Sequence, residues 1–151
     1  IQSLGYDIEI PQGIKSGPMV TEIVINHVDE TMEHLEKLVN NPDKGIVGVI
    51  CADKNLVPQL KEKYADYPKT HVVSMEEVQG VEFDTVCIVG ISKEIFAVPG
   101  YEVLPEELRT DIKKIQRDLL YISLTRAISE MHLVGLCLLG DAVSDLIISQ
   151  G

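Results

Sequence analysis

Apolar runs alternate along the chain with stretches in which apolar positions recur every three or four residues. Met19 to Ile25 is rich in β-branched residues and predicts a strand. From about Asp29 to Val39, Met32, Leu35 and Leu38 fall on one helical face, so a helix is expected. Asn40-Asn41-Pro42-Asp43-Lys44-Gly45 has the chemistry of a turn. Ile46 to Cys51 is a near-continuous apolar run, the pattern of a strand covered on both faces. Asp53 is placed to cap a helix running to about Tyr64, with Val57, Leu60 and Tyr64 turned inward. Thr70 to Met75 and Thr85 to Ile91 predict two further strands. Residues 92–110, with Pro99, Gly100 and Pro105, read as a loop. A long helix is expected from Pro105 or Thr110 to about Ser129, then a strand over His132 to Cys137 and a short helix from Asp141 to Ile148.

This alternation predicts an α/β fold of three layers, a mostly parallel sheet flanked by helices. Residues 1–18 hold Gly5, Pro11, Gly13, Gly17 and Pro18 and read as an irregular lead-in, leaving residues 19–151 as one domain. Ligands of such sheets sit beyond the carboxyl ends of the strands. The loops after Cys51, Met75, Ile91 and Cys137 are therefore candidates, above all Glu76 to Glu82.

Composition narrows the function classes. A chain of 151 residues with 45% apolar content can bury a core. No apolar run approaches the roughly 20 residues of a membrane helix, and no secretory pattern is present. Cys51, Cys87 and Cys137 are odd in number and suit no metal site, so reduced thiols in a cytoplasmic protein are expected. His27, His34, His71 and His132 are scattered, and none stands at ligand spacing from another. Thirteen basic against 24 acidic residues, a net charge of −11, weigh against strong nucleic-acid binding by this piece alone. A strand lying in a groove shared with a more basic domain stays compatible with it. Ile1 in place of Met leads us to expect a longer parent chain. There is no GxxxxGKS/T phosphate loop and no GxGxxG after a strand, so this piece cannot by itself cradle a triphosphate and its magnesium. No nucleophile–base pair stands out either.

One stretch carries candidate chemistry. Thr125-Arg126-Ala127 closes an apolar helix and leads into a strand. On spacing alone, Arg126 is a solvated residue or a cation at the negative helix end. The sharper reading places its guanidinium at a sheet edge, where the planar fork meets an anion.

Two motifs bear on that choice. Leu119-Leu120-Tyr121-Ile122-Ser123-Leu124-Thr125-Arg126-Ala127 resembles LLYVALTRA, the last motif of superfamily 1 helicases of the UvrD/Rep type. Val78 to Val86, VQGVEFDTV, resembles the preceding motif of that family, KGLEFDxV. The resemblance spans about Thr70 to Gly135. It implies a RecA-like second motor domain without a phosphate loop, the C-terminal domain of an ATP-dependent DNA helicase or translocase. ATP and magnesium would be bound mainly by an N-terminal RecA-like domain of the same parent, and the isolated piece would be inactive. Carried over by motif, Arg126 is the arginine finger, Glu82 accepts from a ribose hydroxyl, and Gly80 lets backbone approach the nucleotide or DNA. Tyr121 is expected to pack, Thr125 to tie its helix to the motif loop, and Asp84 to orient the loop entering the next strand.

The departures are informative. Where the family often reads TxHxxKG, this chain has Ser74-Met75-Glu76-Glu77-Val78-Gln79-Gly80. Ser74 and Gln79 are the positions left to face single-stranded DNA, while Glu76 and Glu77 repel phosphate. The strand ending at Cys51 and the strand at Thr70 leave no room for the large accessory domain of UvrD-type proteins. The chain is accordingly more similar to the shorter helicase IV and HelD-type relatives, which brings RNA polymerase in as an alternative partner. An unrelated parallel α/β domain, for instance flavodoxin-like, is the third reading.

Overall fold

The computed structural model describes residues 19–143; the lead-in at 1–18 and the end of the chain lie outside the described residues. Five strands, β1 (Met19–Val24), β2 (Val47–Cys51), β3 (Thr70–Ser74), β4 (Phe83–Ile91) and β5 (Ala127–Gly135), form one parallel sheet in the order β1-β5-β4-β2-β3. The helices are α1 (Thr31–Val39), α2 (Val57–Lys63), α3 (Glu106–Leu124) and the short α4 (Leu139–Ala142). The fold is α/β with three layers.

The two faces of the sheet explain the apolar runs. Val47, Val49 and Cys51 of β2, with Cys87, Val89 and Val134, pack under α1 and α2 against Leu35, Leu38, Leu60 and Tyr64. Ile50, Val86, Ile88, Met131 and Leu133 face the other way, against Leu120 and Leu124 of α3. Every residue of β2 is buried, which is why that stretch has no polar alternation. Each fully buried Leu or Ile contributes about 1.5–3 kcal/mol of transfer free energy.

The winding reverses once. From β1 through β3 the connections carry α1 and α2 over one face. From β3 the chain turns back across the sheet to β4 and β5, and its connections lie on the opposite face, as a constant crossover hand requires. The β3-to-β4 connection has no helix. Residues 75–82 run from the end at which β3 finishes to the end at which β4 starts, anchored by buried Met75 and Val78.

Several elements differ from the sequence expectation. The helix expected to reach Ser129 stops at Leu124, and β5 starts at Ala127 instead of near His132. Thr125 leaves helical geometry at φ −99°, ψ 7°, and its hydroxyl donates to the Ile122 carbonyl at 2.7 Å. Ala127 then pairs with Phe83, and Glu130 with both Met19 and Thr85, so two neighbouring strands claim these residues. β4 starts at Phe83 rather than Thr85, and β3 ends at Ser74 because Met75 opens a 3-10 turn. The region expected as loop to residue 110 holds a 3-10 turn at Tyr101–Val103, and α3 starts at Glu106 behind Pro105. Gln116 pins this segment to α3 by donating to the Phe96 carbonyl at 3.0 Å. Asp53 caps a 3-10 turn, accepting from the Asn55 amide at 2.9 Å, before α2 begins at Val57. Of the last expected helix only α4 falls among the described residues.

A candidate nucleotide-facing rim

Arg126 lies in the turn between α3 and β5, at the amino end of the sheet. Its side chain is half-buried and held on three sides. Nε donates to the Ile122 carbonyl at 3.1 Å, Nη2 to the Thr125 hydroxyl at 2.9 Å, and Nη1 to the Val81 carbonyl at 3.1 Å. The backbone repeats the link, because the Phe83 amide donates to the Arg126 carbonyl at 2.9 Å. The two motifs are thus joined by side chain and main chain. Each of these partners is neutral. Among the described residues no carboxylate accepts from Arg126, so its charge is oriented and uncompensated. The Nε bond also sets the guanidinium beside the helix end foreseen from spacing, on a last-turn carbonyl that already accepts from the Thr125 amide and hydroxyl.

Glu82 is exposed and lies between Val81, which holds Arg126, and buried Phe83. Gly80 has φ +84°, a left-handed conformation that favours glycine, with nothing within 4 Å of where a Cβ would stand. The turn requires the glycine and leaves open space on its outer side. Gly80, Glu82 and Arg126 are brought to one end of the molecule. That end is the amino rim, and not the carboxyl rim to which strand-end loops pointed, because residues 75–82 cross from one rim to the other.

Ser74 does not share that rim. It lies at the carboxyl end of β3, 8% exposed, and its amide donates to Glu77 Oε1 at 2.9 Å. That backbone bond, aided by the Ser74 side chain, holds the Glu77 carboxyl below the usual carboxylate range. Glu76 pairs with Lys54 at 2.6 Å on the surface. Gln79 is exposed further along the crossing. Thr125 ties to Arg126, and it is Arg126 that ties the helix to the motif loop, a correction to the role expected of Thr125. Asp84 accepts from the Ile46 amide at 2.8 Å and so fixes the start of β2. Tyr121 is 41% exposed.

At the carboxyl rim a shallow cleft of about 60 Å³ lies among Ile25, Asp53, Gly90, Ser92 and Leu136. Sequence reasoning also missed a half-buried polar cluster near the amino rim. Lys44 Nζ donates to both Glu130 oxygens at 2.8 and 2.9 Å, and His132 Nε2 lies 2.9 Å from the same carboxylate. Its signal was the placement of Glu130 and His132 two apart, on one face of a strand. Among the described residues no three His, Cys, Asp or Glu side chains gather to hold a metal, and no helix is long and apolar enough to cross a membrane.

No protein-family model matches the chain, and no curated protein matches it. Among solved structures it is similar to the C-terminal domain of a possible DNA helicase from a Lactobacillus (strain WCFS1). The TM-score is 0.55 at 18% sequence identity, with 93% of this chain and 96% of that chain covered. At that identity the likeness is one of fold.

Proposed function

We propose that this chain is the C-terminal motor domain of an ATP-dependent superfamily 1 DNA helicase or translocase. The observation that carries the reading is the pose of Arg126: a guanidinium held by neutral acceptors alone, on the rim that also presents Glu82. The two motifs and the helicase-domain fold of the neighbour support it. The residues fit one side of a nucleotide. Arg126 supplies a fixed positive fork for a phosphoryl group, Glu82 an exposed acceptor for a sugar hydroxyl, and Gly80 an open backbone turn. ATP supplies the phosphoryl-transfer chemistry when held by an N-terminal RecA-like domain of the parent, which also provides the magnesium site. Arg126 acts by neutralising charge as it develops, and the bonds to Ile122, Thr125 and Val81 remove the reorganisation that a mobile arginine would need.

Arg126→Ala in the parent protein is expected to leave ATP binding largely intact and to cut turnover by about a thousandfold or more. Steady-state ATPase assays with parallel nucleotide-binding measurements check this, and near-normal turnover refutes the role.

A second reading has its own support: the chain serves a HelD-like parent that remodels RNA polymerase and unwinds little DNA. Ser74 is covered by its turn with Glu77, and Glu76 stands where the family often has a histidine, so this stretch offers little to a DNA backbone. Strong stimulation of the parent ATPase by single-stranded DNA favours the motor; stimulation by RNA polymerase alone favours remodelling.

A further inference from the structure

Val81, Glu82 and Phe83 are consecutive, and each is engaged differently. The Val81 carbonyl holds Arg126, Glu82 stands exposed, and the Phe83 side chain lies back over the sheet. The Phe83 ring crosses β2 at Gly48, where a Cβ would run into it. Beyond β2 it meets His71 of β3, with ring centroids 6.0 Å apart and planes inclined by 30°. Gly48 and His71 are partners in the sheet register, one residue in from the amino end of their strands. Phe83 is buried and His71 is exposed, so the imidazole rests on a fixed ring and keeps surface toward solvent. Among the described residues no hydrogen bond or ion pair holds the imidazole, so a flat ligand laid on it displaces no existing bond.

A guanidinium before β5, a carboxylate before β4 and an imidazole on β3 therefore follow one another along the amino rim. That is the order phosphate, sugar, base. Val81 to Phe83 spans about 7 Å of chain and β4 to β3 about 10 Å, the reach of one extended nucleoside triphosphate. An aromatic face holds a base by stacking and needs no net positive charge, which suits a chain of net charge −11. We propose that His71, backed by Phe83, is a wall of the base pocket and stacks on the purine of the ATP whose phosphoryl end meets Arg126. The inference rests on the motor reading and adds to it a specificity-determining residue that neither motif contains.

The test compares ATP with ribose 5-triphosphate, the same ligand without its base, on the parent protein. His71→Leu keeps an apolar contact with Phe83 and removes the aromatic face. It is expected to raise KM for ATP about fivefold or more, with kcat within about twofold. The inhibition constant of ribose 5-triphosphate against ATP stays within about twofold of the unmodified parent. His71→Phe restores the KM for ATP. The melting temperature of the 151-residue chain is the same for all three. An unchanged KM for ATP in His71→Leu overturns the proposal. An equal loss with both ligands also overturns it, because a purely structural role weakens them alike. A fall in kcat at constant KM overturns it in favour of a role in placing Glu82 through Phe83. The motor reading fails by a separate measurement, near-normal turnover in Arg126→Ala, and a parent without ATPase overturns both.

Discussion

Single side chains divide into those whose partners are near in sequence and those whose partners arrive only with the fold. Arg126 was legible as a candidate because its motif surrounds it, but its acceptor at Val81 was not, since that contact is made by a backbone carbonyl 45 residues away. Cys51 and Cys87 illustrate the easier case. Burial, their first cause, pushes both thiols up to about 12, and the apolar runs already implied that burial. Cys137 is raised as well, again by burial, but is partly exposed. A thiol reagent at pH about 7.5 is therefore expected to modify Cys137 in the native chain and the other two only on unfolding. Cys137→Ser should abolish the native-state phase; its persistence would contradict the burial. Glu130 contributes a pH dependence. The hydrogen bond from Lys44, with help from His132 and against burial, holds its carboxyl below the usual value of 4.5. A carboxyl depressed in the folded state stabilises above its unfolded pKa, and that contribution is lost as pH falls through the folded one. Glu130→Gln should cost about 1–2 kcal/mol at neutral pH. It should also flatten the fall of melting temperature as pH drops below the usual carboxyl value of 4.5.

At the scale of elements, strands buried on both faces and amphipathic helices were readable because their signals are periodic and local. The boundaries that failed lie where a helix hands over to a strand. Ile128 and Ser129 fit a continued helix as well as a strand, and only pairing with β4 and β1 decides between them. The crossing at residues 75–82 was unreadable for a similar reason: a connection without a helix carries no period. A packing constraint at its far end gives an element-scale prediction. A Cβ on Gly48 of β2 would enter the space of the Phe83 ring, and Phe83 follows Glu82 directly. Gly48→Ala is expected to destabilise by about 1–3 kcal/mol and to displace the Glu82 turn. Chemical denaturation measures the first, and loss of parent ATPase beyond the loss of folded protein measures the second.

For the whole molecule, the sheet order has a consequence for how the chain comes together. Among the described residues β1 is an edge strand whose one partner is β5, with Met19 opposite Glu130. On a ribosome β1 emerges long before β5, its partner among the described residues, and waits until nearly all of residues 19–143 have been made. β2, β3 and β4 pair with one another first, and β5 arrives last as the seam between that preformed block and β1. A nascent chain stalled before Ala127 should then hold β1 loose and open to proteases while Val47 to Ile91 is already protected.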